Sequence, residues 1–278
     1  MEKISLIKKK SSNENIIKAV LNYRYFLFQL VKRNFIIVYK QTILGRFWPI
    51  INIFLQSGVF TIIFSNLLKV PTDGVPPFIF YMCGMLVWFF FQSNTLKTSQ
   101  IFTNFGYFFS AAYFPRILIP ISLVIENCIF LIINFTIFIS IYFLLKLFGY
   151  TIHSNFSLII FLPLIFLYLS FLSFSIGLII SCLSAKYRDL ALISNHGLQL
   201  LFFATPIVYS SEFLSGSFKF LYYINPVAYP VVLIKNIFFS TELLSLNILI
   251  INLITCVLIF CLSIFYFNKV SKNVVDYA

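Results

Sequence analysis

The chain has 278 residues, 60% hydrophobic and 20% aromatic, with only 10% charged, where a soluble globular domain carries about 25% charged residues. That balance excludes a free-standing soluble enzyme or scaffold, because too few polar side chains exist to cover a water-facing surface, and the bilayer is the solvent it fits. The net charge of +12 points to anionic headgroups rather than nucleic acid, since no polar domain is available to display a basic patch.

The first eighteen residues are too polar for a cleaved signal peptide, so insertion is expected to begin at a helix that is retained. Residues 15–40 alternate apolar and basic residues at helical spacing. Ile17, Val20, Leu21, Phe28, Val31 and Phe35 can share one face, with Lys18, Arg24, Lys32 and Arg33 opposite or at its edge. This run is too charged to cross a membrane. It suits an amphipathic helix in the interface, or else a cytoplasmic helix packed on the protein itself.

Six transmembrane spans are predicted, at about 47–68, 78–96, 118–145, 157–184, 190–209 and 246–267. The break after the first is rich in Pro and Gly and reads as a tight turn. Residues 97–116 are more polar and return the chain to the positive side. The stretch 210–245 reads as two short re-entrant helices broken by Asn225-Pro226 and Pro230. Such a segment either caps the outer end of a pathway or is a plain amphipathic connector.

With the N-terminus inside, sixteen of the twenty bases fall on the inner side. Lys69, Lys146, Lys219 and Lys235 are left outside. This asymmetry places both termini in the cytoplasm. The expected organisation is therefore all-α: a cytoplasmic N-terminus with its amphipathic helix (1–46), a six-span domain (47–268) and a cytoplasmic tail (269–278).

Chemistry-bearing motifs are sparse. No GxxxxGK[ST] phosphate loop is present, so ATP hydrolysis by that device is excluded. His153 and His196 stand alone, and the five cysteines lie in apolar segments without metal-ligand spacing, so no catalytic or metal site is expected. Glu126 stands about two turns into the third span, beside Asn127. A carboxylate there costs about 2–3 kcal/mol unless it is paired, protonated or solvated, so it should face the bundle as an anchor or take part in gating. Trp88, Phe89 and Phe90 belong to an aromatic cluster whose rings face lipid by default but are also able to stack on sugar rings in a channel.

Several ordered motifs resemble the permease subunits of ABC-2 type polysaccharide exporters, the family that exports O-antigen and teichoic acids. They are Tyr39 to Pro49, Asp73-Gly74-Val75-Pro76, Gly84 to Phe90, Tyr113 to Pro120, Lys186-Tyr187-Arg188-Asp189, Thr205 to Tyr209 and Asn225-Pro226. The resemblance implies a homodimer of six-span subunits in the cytoplasmic (inner) membrane, working with two copies of a separate ATPase that binds ATP and Mg. It implies that Tyr113, Phe114, Pro115 and Arg116 end a coupling segment against that ATPase, although Ile117 stands where the family often has Glu. It also implies that the loop with Lys40, Leu44, Gly45 and Arg46 lies near the diphosphate of a lipid-linked polysaccharide. There cations and a glycine fit the chemistry, as does ordinary positive-inside anchoring. The rival expectations are an ABC-2 permease for a drug or small lipid, and a membrane-embedded transferase.

Overall fold

The computed structural model describes residues 16–39, 45–105, 114–187, 189–209, 220–241 and 245–273. Two short helices, α1 (Ile16–Asn22) and α2 (Arg24–Tyr39), precede α3 (Trp48–Phe60). α3 runs on as one π-helical stretch, Thr61–Leu67. Then come α4 (Pro77–Ser99), the single turn α5 (Ile101–Asn104), α6 (Leu118–Leu147) and α7 (Leu162–Ser184), the last entered through a 3₁₀ stretch, Phe156–Phe161. The chain continues as α8 (Asp189–Phe203), α9 (Phe220–Ile224), α10 (Ala228–Phe239) and α11 (Leu246–Asn273). Among the described residues every element is helical.

Among the described residues, five stretches are long and apolar enough to cross a membrane: Ile50–Leu67, Pro77–Ser99, Leu118–Leu147, Phe156–Ser184 and Leu246–Ser271. They match the first, second, third, fourth and last predicted spans. The predicted fifth, 190–209, is instead the 15-residue α8 followed by a turn. α11 extends beyond the predicted end of the last span, through the 268/269 boundary.

α4 is the central element. Its span is 78% buried, against 11–39% for the other four, and α3, α6, α7, α8 and α10 surround it. The sequence explains this position: from Pro77 to Phe91 apolar residues cover α4 on all sides, so this part has no polar face to give to water and no need of lipid. Phe80, Tyr81, Met85, Val87, Trp88 and Phe91 fill the core around it. The flanking spans turn large apolar side chains outward, such as Leu55 on α3, Ile132 on α6, Leu164 on α7 and Phe265 on α11. Outward Leu and Phe are what a lipid solvent permits.

The N-terminal pair departs from expectation. Leu27, Leu30, Val31 and Asn34 of α2 are buried against the first half of α6, where Asn34 donates to Ser122 Oγ at 3.3 Å. Leu21 and Phe28 lie exposed instead. The pair thus turns apolar side chains both onto protein and outward, and the predicted face divides: Val31 is buried while Leu21 and Phe28 are exposed.

The break predicted at Pro230 is corrected too. α9 ends before Asn225-Pro226, but Pro230 does not break α10. It sits in the first turn, where its missing N–H has no helical acceptor to lose. α10 is packed into the core, not laid on a surface, with all but one of its residues buried. Cys261 is exposed on α11.

Candidate functional site

Ser93, Asn94 and Lys97 lie within one turn near the C-terminal end of α4, so their side chains meet one neighbour, α6. α6 presents Glu126 and Asn127 to them. Lys97 Nζ donates to Glu126 Oε1 at 2.8 Å and to Asn127 Oδ1 at 2.8 Å. Asn127 Oδ1 also accepts from Ser93 Oγ at 3.2 Å, and its amide donates to Asn94 Oδ1 at 2.7 Å. Glu126 is 1% exposed and Lys97 28%, so the carboxylate depends on the ammonium for compensation while the ammonium also reaches open space. Glu126 Oε2 and Asn94 Nδ2 are buried without a hydrogen-bond partner among the described residues. Glu126 thus faces the bundle. Its partner Lys97, which the sequence placed in a polar inner loop, is part of the span.

Beside this cluster α3, α4 and α6 enclose a cavity of about 470 Å³, open on one side. Trp48, Phe89, Phe90 and Phe130 supply rings to its wall. Asn52, Gln56, Gln92, Ser93, Asn127 and Asn134 supply uncharged polar groups. Phe130 stacks on Phe35 of α2, with centroids 5.0 Å apart, which ties the N-terminal helix to the cavity wall.

The predicted aromatic trio divides. Phe89 and Phe90 line this cavity. Trp88 is 2% exposed and packs edge-on to Phe202 of α8 at 5.5 Å, so it fills the protomer core. Of the predicted entry loop, Lys40 and Leu44 lie outside the described residues, and only the backbone of Arg46 is described. Gly45 opens a 3₁₀ turn with φ +50°, and a Cβ there would meet nothing within 4 Å. The glycine is therefore required by the left-handed backbone and not by crowding. Gly45→Ala should cost about 1 kcal/mol, readable as a fall of a few degrees in the thermal midpoint.

Tyr113 of the predicted coupling segment lies outside the described residues. Phe114 packs on Phe26 of α2, centroids 4.7 Å apart, and Pro115 and Arg116 give their carbonyls to the first turn of α6. Arg33 of α2 lies over the ring of Phe105 at 5.8 Å. α2 therefore grips the chain on both sides of residues 106–113, a link the sequence did not reveal.

Sequence reasoning also missed Lys235. Counted as an outer loop base, it is 3% exposed, on α10 outside the five spans. Its ammonium donates to Pro206 O at 2.8 Å, Ile207 O at 2.9 Å and Tyr209 O at 3.4 Å. It also sits 3.7 Å from the centroid of Phe80. Burial pulls its pKa down to about 7, opposed by the nearby Cys83 and Asp73. The lysine ties the turn after α8 to α10 and α4. Lys235→Met should leave those carbonyls without a donor and destabilise the protein by about 2–3 kcal/mol. A thermal scan in detergent would show the drop.

Five apolar crossings around a buried, internally neutralised polar cluster define a multi-pass membrane protein. The family model described as "ABC-2 type transporter" matches residues 25–239, and the chain belongs to that family. The chain is 26% identical over 228 residues to an O-antigen export system permease protein RfbA of Klebsiella pneumoniae, with 82% of this chain and 85% of that protein covered. It is 25% identical over 195 residues to the protein of the same name from Myxococcus xanthus, covering 70% of this chain and 72% of the other.

Proposed function

We propose that the chain is the transmembrane permease subunit of an ATP-driven exporter of a lipid-linked polysaccharide of the O-antigen type, acting across the cytoplasmic membrane. The observation that carries this reading is the alignment with O-antigen export permeases over 82% of the chain. The subunit works as a homodimer with two copies of a separate ATPase that binds ATP and Mg. The absence of a GxxxxGK[ST] loop supports that division of labour. Both termini are cytoplasmic. α8, which rises roughly 22 Å, completes a sixth crossing together with the turn that Lys235 holds.

In this scheme the ATPase closes on the segment ended by Tyr113, Phe114, Pro115 and Arg116, and α2 passes the push on to α6. Closure drives opening only so far as the nucleotide-bound partner prefers the open permease. The loop of Lys40, Leu44, Gly45 and Arg46 receives the lipid diphosphate. Purified chain alone should hydrolyse no ATP, and the same chain purified with its ATPase should. Turnover by the isolated subunit would refute the two-chain scheme.

A further inference from the structure

The cavity between α3, α4 and α6 has a wall unlike a lipid-facing groove. Six uncharged polar side chains line it at membrane depth, where each unpartnered polar group is costly. Asn134 shows this most clearly. It is 8% exposed, lines the cavity and makes no hydrogen bond to any described residue. An amide held so is matched only if something polar enters the cavity.

The charge in the wall narrows what that occupant is. Lys97 is the one cation among the described lining residues, and Glu126 neutralises it at 2.8 Å. A phosphate or carboxylate would find no uncompensated positive charge there. Neutral hydroxyls fit better, because carboxamides both donate and accept and the rings of Trp48, Phe89, Phe90 and Phe130 offer flat apolar faces to C–H groups. The volume of about 470 Å³ falls in the range of small-ligand sites, ~300–1,000 Å³.

We infer that this intra-protomer cavity is a binding site for a neutral sugar unit, separate from any anion site at the entry loop. Resting on the export reading above, it places the sugar next to the diphosphate against Asn134, Gln92 and Asn127. The sugar hydroxyls take up the free capacity of Asn134, and a ring packs on Trp48 or Phe89.

A photo-reactive benzoylphenylalanine at Gln92, in the full chain in cells making the polysaccharide, tests this. After irradiation the purified chain is probed with antiserum to that polysaccharide. The expected result is a glycan adduct at position 92 that is absent from a strain unable to attach the first sugar. Asn134→Leu should reduce both the adduct and export about tenfold, the equivalent of one good polar contact. The same variant should leave the thermal midpoint unchanged or raised, since it removes an unpartnered buried amide. The inference is overturned if export proceeds and a probe at Leu44 captures glycan while position 92 captures none, only phospholipid, or only a second copy of this chain. It is equally overturned if Asn134→Leu exports normally. If deleting the chain leaves export intact, the export reading itself fails, which is a different outcome from an empty cavity.

Discussion

Lys97→Met should be among the most damaging single substitutions in this protein, with a loss of about 3–5 kcal/mol, because it leaves a buried carboxylate uncompensated. Glu126 is almost wholly enclosed, and Asn127 offers it no positive charge. The reverse change, Glu126→Gln, should cost only about 1–2 kcal/mol. Lys97 is more exposed and already borders an open cavity, so a lone ammonium there reaches solvent. Combining the two should recover much of the loss, since replacing both members of a buried pair is often close to neutral. Yield and thermal midpoint of the three variants in detergent would show this order. Equal damage from both single changes would mean that the pair is not the compensating contact.

Gly177→Leu should prevent the bundle from assembling in its native form, and even Gly177→Ala should cost about 1–3 kcal/mol through overpacking. A Cβ at Gly177 would fall 2.6 Å from Thr98 Cβ and 2.8 Å from the Thr95 carbonyl oxygen. The second of these atoms is backbone and cannot swing aside. α4 and α7 make the most extensive helix pair in the molecule, and they approach this closely because a small residue sits at the crossing. Thr98→Ser removes only the Thr98 methyl, 3.0 Å from the new Cβ, and keeps both closer contacts. It should therefore relieve neither the alanine nor the leucine variant by much. Size-exclusion profiles and thermal scans of the four proteins would separate these cases.

The spans were legible because their signal is long and local. An apolar stretch some twenty residues long, such as 118–145, needs no partner to be recognised. Glu126 was legible on the same ground, since a carboxylate inside such a stretch must be paired. Its partner was not, because Lys97 lies 29 positions earlier on an antiparallel helix and ends a span where a positive-inside base is ordinary. Lys235 was misread for a related reason. A base flanked by short apolar runs looks like a loop residue until the fold brings three carbonyls and an aromatic ring around it.

The buried face of α2 escaped prediction because periodicity reports that a face is apolar, not whether lipid or protein covers it. Leu27 and Phe28 read alike in sequence and differ wholly in exposure. The π-helical end of the first span likewise has no residue signature in Thr61–Leu67. Of the entry loop and coupling segment, the resemblance supplied the residues. The structure adds their fixed neighbours: the left-handed Gly45 on one side, and Phe114 on Phe26 on the other.

The central claim is that this chain is the membrane conduit for a lipid-linked polysaccharide. It is tested most directly in cells from which the chain has been deleted, by asking on which side of the cytoplasmic membrane the completed polymer lies. Membrane-impermeant periodate applied to spheroplasts should leave the polymer intact in the deletion strain and oxidise it once the wild-type chain is restored. Polymer oxidised equally in both strains would contradict the claim.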